Sequence, residues 1–165
     1  MKPKVYLETT IPSLLTGWPS RDLVLAADQQ VTRTWWDKQR GKYELVVSAL
    51  VLDEIKKGDP NAAAARLAAL AECQILTMDD EVMRLGETIV RTRLIPACAY
   101  NDALHVAVAA RHGIDYLLTW NCRHLANATI SERVRMACRI AGYEPPVICT
   151  PHSLLGESPY EERNA

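Results

Sequence analysis

Three acidic residues and one amide stand where the chain changes direction, and these types and places suggest chemistry. Glu8 follows the apolar run Val5-Tyr6-Leu7, and Glu54 lies on the segment after Ser48. Asp102 opens an Ala-rich stretch behind Asn101, and Asn121 closes Thr119-Trp120-Asn121. Carboxylates brought within a few ångströms repel and raise one another's pKa. A divalent cation removes that penalty, and Mg2+ or Mn2+ takes oxygen ligands. Such a cation lowers the pKa of a bound water and polarises a phosphodiester. The expected site therefore has Glu8, Glu54 and Asp102 as metal ligands and Asn121 as a fourth polar member. Asn121 offers only a neutral carbonyl oxygen, and its other reading is a turn-stabilising residue. Asp53 adjoins Glu54 but points about 100° away on a helix, so it belongs to the surface.

These groups need a scaffold that collects them at one edge. Val5-Tyr6-Leu7, Leu45-Val46-Val47, Cys73 to Leu76, Tyr116-Leu117-Leu118 and Val147-Ile148-Cys149 read as short apolar strands. Between them lie helical segments: one starting near Thr9, Thr10 and Pro12, then 22–40, 49–57, 60–71, 79–93, 99–112 and 131–141. Ser48, Asp59, Asp79 or Asp80, and Ser131 stand at cap positions. Pro60 suits a first helical turn, and Gly58, Gly113 and Gly142 suit helix stops. Strands alternating with helices imply an α/β fold, a three-layer α/β/α sandwich with a central, mainly parallel sheet. In such sheets ligands bind beyond the carboxyl ends of the strands, where Glu8, Ser48 and Asn121 fall. One domain is expected over 1–156, with a polar tail over 157–165.

Around the acids lie groups with two readings. Thr9, Ser48 and Thr119 cap and stabilise turns, or they hydrogen-bond a ligating carboxylate or a phosphate. Arg123 and His124 are solvated loop residues or meet substrate phosphate. His105, one turn beyond Asp102 on the same helix face, reads as packing or as a satisfied polar group. Trp18, Trp35 and Trp36 read as core or interface residues more readily than as base-stacking platforms.

Composition narrows the classes further. The 165 residues are 48% hydrophobic with no Phe, enough for one folded core without disulfides. A formal net charge of −1 argues against a protein that coats nucleic acid by bulk charge. Its grip on RNA would come from a local basic patch and bound metal. Cys73, Cys98, Cys122, Cys138 and Cys149 contain no Cys-x-x-Cys pair, so no zinc ribbon or redox motif is indicated, and reduced, mostly buried thiols are expected. No run is apolar enough for a membrane span and no signal-like segment opens the chain, so a cytoplasmic location is expected. No Gly-rich phosphate loop is present, which leaves other phosphate-transfer folds unsupported.

The order Glu8-Thr9-Thr10, Ser48 through Glu54, Asn101-Asp102-Ala103-Leu104-His105 and Leu118-Thr119-Trp120-Asn121 resembles the PIN-domain family, in particular its VapC-like branch. The resemblance covers roughly residues 4 to 150. Glu8 stands where the family usually has Asp, Glu54 and Asp102 match its second and third acids, and Asn121 stands where a fourth Asp often lies. The resemblance implies a Mg2+- or Mn2+-dependent endoribonuclease acting on RNA, a homodimer, and a toxin held by a cognate antitoxin protein. The longer Glu8 and the neutral Asn121 leave a second reading open: a degenerate module that binds RNA or a partner without cleaving.

Overall fold

The computed structural model describes residues 1–156, and the expected tail at 157–165 lies outside the described residues. Five strands form one sheet: β1 (Lys4–Leu7), β2 (Glu44–Ser48), β3 (Gln74–Leu76), β4 (Tyr116–Leu118) and β5 (Val147–Cys149). All pairings are parallel, in the order β3-β2-β1-β4-β5. Val5, Tyr6 and Leu7 are fully buried, because β1 is central and both of its faces are covered.

Among the described residues seven α-helices connect the strands: α1 (Thr10–Thr16), α2 (Leu23–Lys38), α3 (Ala49–Ile55), α4 (Pro60–Ala69), α5 (Asp80–Arg91), α6 (Tyr100–Arg111) and α7 (Ser131–Ile140). From β1 the chain steps outward through β2 to β3, then returns to β4 on the other side of β1 and continues to β5. Right-handed crossovers in these opposite directions put α1–α4 on one face and α5–α7 on the other. Accordingly α1 packs on α2 and α4, while α5 packs on α6 and α7.

Local signals set the helix ends. Asp22, Ser48, Asp59 and Asp79 each accept a hydrogen bond from the backbone N–H three residues on. Ser131 departs from expectation: it is the first residue of α7, preceded by Ile130 with no side-chain cap, and its N–H donates to Asn127 O at 2.8 Å. The strongest burial falls on α6, where every residue from Ala103 to Ala110 is buried. Its alanines allow close approach to the sheet. Opposite it, a Cβ on Gly86 would lie 2.7 Å from Leu104 Cδ2, so the Leu104 side chain packs directly against the α5 backbone at that point.

The strand order reverses about β1, so the connections leaving β1 and β4 diverge toward opposite faces. In parallel sheets such a reversal is the place at the carboxyl edge where ligands bind. Glu8 leaves β1 there and Thr119 leaves β4. The ladder runs one bond further than the strands, with Glu8 N–H donating to Leu118 O at 3.1 Å. That bond fixes the register of the two departing segments.

Candidate metal centre

Glu8 is 5% exposed, and its carboxylate is held by its neighbours. Its Oε2 accepts from Thr10 N–H at 3.1 Å, from the Thr10 hydroxyl, and from Thr119 Oγ1 at 2.8 Å. Among the described residues no protein donor reaches Oε1, and no Lys, Arg or His forms an ion pair with Glu8. A buried carboxylate without a counter-charge is costly, so this group calls for a cation.

Glu54 reaches the same edge from α3. Its Oε1 accepts from Thr9 Oγ1 and pairs with His105 Nε2, each at 2.7 Å. Its Oε2 has only a long contact, 3.4 Å from Asn101 Nδ2. Burial pushes the Glu54 carboxyl up, but the hydrogen bond from His105, with those from Thr9 and Asn101, outweighs burial and holds it below the usual carboxylate value. Each glutamate thus has one oxygen committed to the protein and one left for a ligand.

His105 is 1% exposed and stands between two elements. Beyond Glu54, its Nδ1 lies 2.7 Å from Tyr6 Oη, which lies 2.8 Å from Ser48 Oγ. Burial raises the Tyr6 phenol far above its ordinary value and keeps it protonated; the nearby Glu8 and Glu54 charges act in the same direction. One ligand atom from each of Glu8, Glu54 and His105 falls within 4.8 Å of the others. Since both His105 nitrogens have partners, the available donors are carboxylate oxygens. That set fits a hard divalent cation.

The other expected residues take these places. Asp102 is not in the close trio; its Oδ2 lies 2.8 Å from His124 Nδ1, although its α6 neighbours Asn101 and His105 both reach Glu54. Asn121 Oδ1 accepts from the Arg123 and His124 N–H groups at 3.2 and 3.0 Å, so it builds the turn and has little left for an ion. Ser48 and Thr119 are fully buried, and their hydroxyls bond protein groups. Ser48 caps α3 and meets Tyr6, while Thr119 donates to Glu8 and accepts from Asn121 N–H at 2.9 Å. Thr9 donates to Glu54 rather than facing a phosphate. Arg123 is exposed beside the site. His124 is half-buried against Asp102.

Sequence reasoning passed over two members of the site. Tyr6 reads as a strand residue, and only the alternation of faces along β1 marks it. His105, read as packing or as a satisfied polar group, is the latter, with a partner on each ring nitrogen. Thr10, seen only as a helix-start residue, binds Glu8 and accepts from Trp120 N–H at 2.9 Å, tying the β1 and β4 edges together. Trp120 Nε1 donates to Thr32 Oγ1 at 2.7 Å, anchoring the same loop to α2. Trp35 is core, Trp36 is half-buried under Arg40, and Trp18 is exposed, contrary to a core role. The thiols are all free; Cys138 and Cys149 are buried, Cys73 is half-buried, and Cys98 and Cys122 are exposed, so fewer are buried than expected.

No curated protein sequence matches the chain. One solved structure similar to it is the crystal structure of VapBC2 from Rickettsia felis bound to a DNA fragment from their promoter. That match has a TM-score of 0.53 at 14% identity, covering 89% of this chain and 98% of the other. At that identity the likeness is one of fold, and the fold is the parallel α/β/α arrangement described above. The PIN domain family model matches residues 26–128, which carry Glu54, Asp102 and Asn121 and leave β1 and Glu8 outside. The match spans more than half of the 165 residues, and the chain belongs to the PIN-domain family.

Proposed function

We propose that the protein is a Mg2+- or Mn2+-dependent endoribonuclease of the VapC-like branch. The observation that carries this reading is the pair Glu8 and Glu54, each anchored through one oxygen and open at the other, with Glu8 buried and lacking a basic partner. Glu8 and Glu54 would hold the cation, with Asp102 supplying a third carboxylate from the adjoining turn of α6. When bound, the cation compensates carboxylate and phosphate charge and acidifies a water molecule. Thr10 and Thr119 hold Glu8 in place, and Thr9 holds Glu54. Arg123, exposed on the loop after β4, and His124 beside it would receive an RNA phosphate.

Purified protein is expected to cut structured RNA only when Mg2+ or Mn2+ is added, and Asp102→Asn is expected to abolish the cut. Equal cleavage by that variant would place the nuclease elsewhere. A second reading is a binding module that retains the fold without cleavage. It is favoured by the Asn121 amide being spent on a turn and by Asp102 facing His124. Calorimetry with Mn2+ separates the two, since a module with no cation site gives no heat.

The VapBC2 likeness is in keeping with a toxin role and a cognate antitoxin protein as partner; a homodimeric state and a cytoplasmic location complete this reading. No helix among the described residues is long and apolar enough to cross a membrane. Growth arrest on expression, relieved by the product of an adjacent small reading frame, tests the toxin role, and light scattering tests the dimer.

A further inference from the structure

The buried chain Ser48–Tyr6–His105–Glu54 joins β2, β1, α6 and α3 behind the proposed cation site, and its hydrogen bonds close in one direction. Ionised Glu54 has only acceptors, so a 2.7 Å contact requires a proton on His105 Nε2. Tyr6 has one hydroxyl proton and two partners, Ser48 Oγ and His105 Nδ1. If Nδ1 accepts from Tyr6, then Ser48 donates to Tyr6 Oη, while Ser48 Oγ accepts from Val51 N–H at 3.4 Å. Every donor then has an acceptor. If Nδ1 donates instead, Tyr6 must donate to Ser48, and the buried Ser48 hydroxyl proton loses its acceptor among the described residues, an arrangement that costs free energy.

We propose that His105 is a positioning residue: its Nε2–H holds Glu54 Oε1 so that the other oxygen faces the cation, and Tyr6 with Ser48 fixes which nitrogen carries that proton. This rests on the reading of Glu8 and Glu54 as a cation site. His105 is not itself a ligand, because ligation through Nε2 would displace Glu54 and ligation through Nδ1 would displace Tyr6. Glu54 sits on a helix of seven residues and has three rotatable side-chain bonds. A fixed donor on the far better buried α6 supplies the orientation that the short helix does not.

The test is Mn2+ binding, read from the free-ion electron paramagnetic resonance signal, for wild type, His105→Gln, His105→Asn and His105→Leu. The Gln amide nitrogen falls near the imidazole Nε2 position and can still donate to Glu54, whereas the shorter Asn amide mimics only Nδ1. Gln is expected to bind within about threefold of wild type, while Asn and Leu weaken binding by about 10- to 100-fold, as removal of a ligand's outer partner typically does. Wild-type protein that takes up no Mn2+ overturns the cation reading, and the positioning role with it. Wild type that binds, with all three variants binding equally, overturns the positioning role alone. Should the variants not fold, nitrogen NMR of wild-type His105 decides: a proton on Nε2 is expected, and a proton only on Nδ1 refutes the proposal.

Discussion

Replacing Thr119 with valine keeps the side-chain shape at a fully buried position and deletes one oxygen. That oxygen makes two bonds, donating to Glu8 Oε2 at 2.8 Å and accepting from Asn121 N–H at 2.9 Å. A hydrogen bond to a charged group contributes about 1.5–3 kcal/mol, and a neutral one contributes about 1 kcal/mol. Thr119→Val should therefore cost about 3 kcal/mol, or roughly 6–12 °C in Tm for a chain of this size. The assay is urea unfolding followed by far-UV circular dichroism, with a chelator present so that no metal stabilises either protein. Thr119→Ser, which keeps the hydroxyl, should lose at most about 1 kcal/mol. The double-mutant cycle with Glu8→Met, which has a similar shape and no carboxylate acceptor, isolates the shared bond, and a coupling of about 1.5 kcal/mol or more is expected. A loss below about 0.5 kcal/mol for Thr119→Val, or a coupling near zero, would refute the account of Glu8 as anchored from β4.

Other perturbations follow from the same geometry. Ser48→Ala removes the α3 cap and the Tyr6 partner, and should lower stability by about 1–2 kcal/mol in urea unfolding. Leu117→Ala, at a fully buried position of β4, should cost about 2–5 kcal/mol by the same measurement. Added Mn2+ at about 100 times its dissociation constant should stabilise wild type by about 2.7 kcal/mol in thermal unfolding, and Glu54→Ala should lose that gain. The Glu54 carboxyl is held below its usual 4.5, so its native contacts stabilise the fold fully above that pH and fade as pH falls through the lowered value. The stability difference between wild type and Glu54→Gln, measured without metal, should therefore be flat above about pH 5 and change only below it.

What the sequence determined by itself is local. Apolar runs placed the five strands, and Ser48, Asp59 and Asp79 cap their helices through bonds spanning three residues. Strands alternating with helices also determined the parallel, layered fold, because parallel neighbours require a crossover. Glu8 was legible as the residue that follows β1, and Glu54 as an acid on the helix that follows β2. Only the tertiary structure decided which partners those acids take. Thr119 reaches Glu8 across 111 residues, and His105 reaches Glu54 across 51. Asp102 turns instead to His124, 22 residues away. Those choices depend on the strand order reversing about β1 and on the register that aligns Leu7 with Leu118. A side chain's own spacing carries no record of either, since hydrogen-bond partners are set by which segments the closed sheet brings within 3 Å or so of one another.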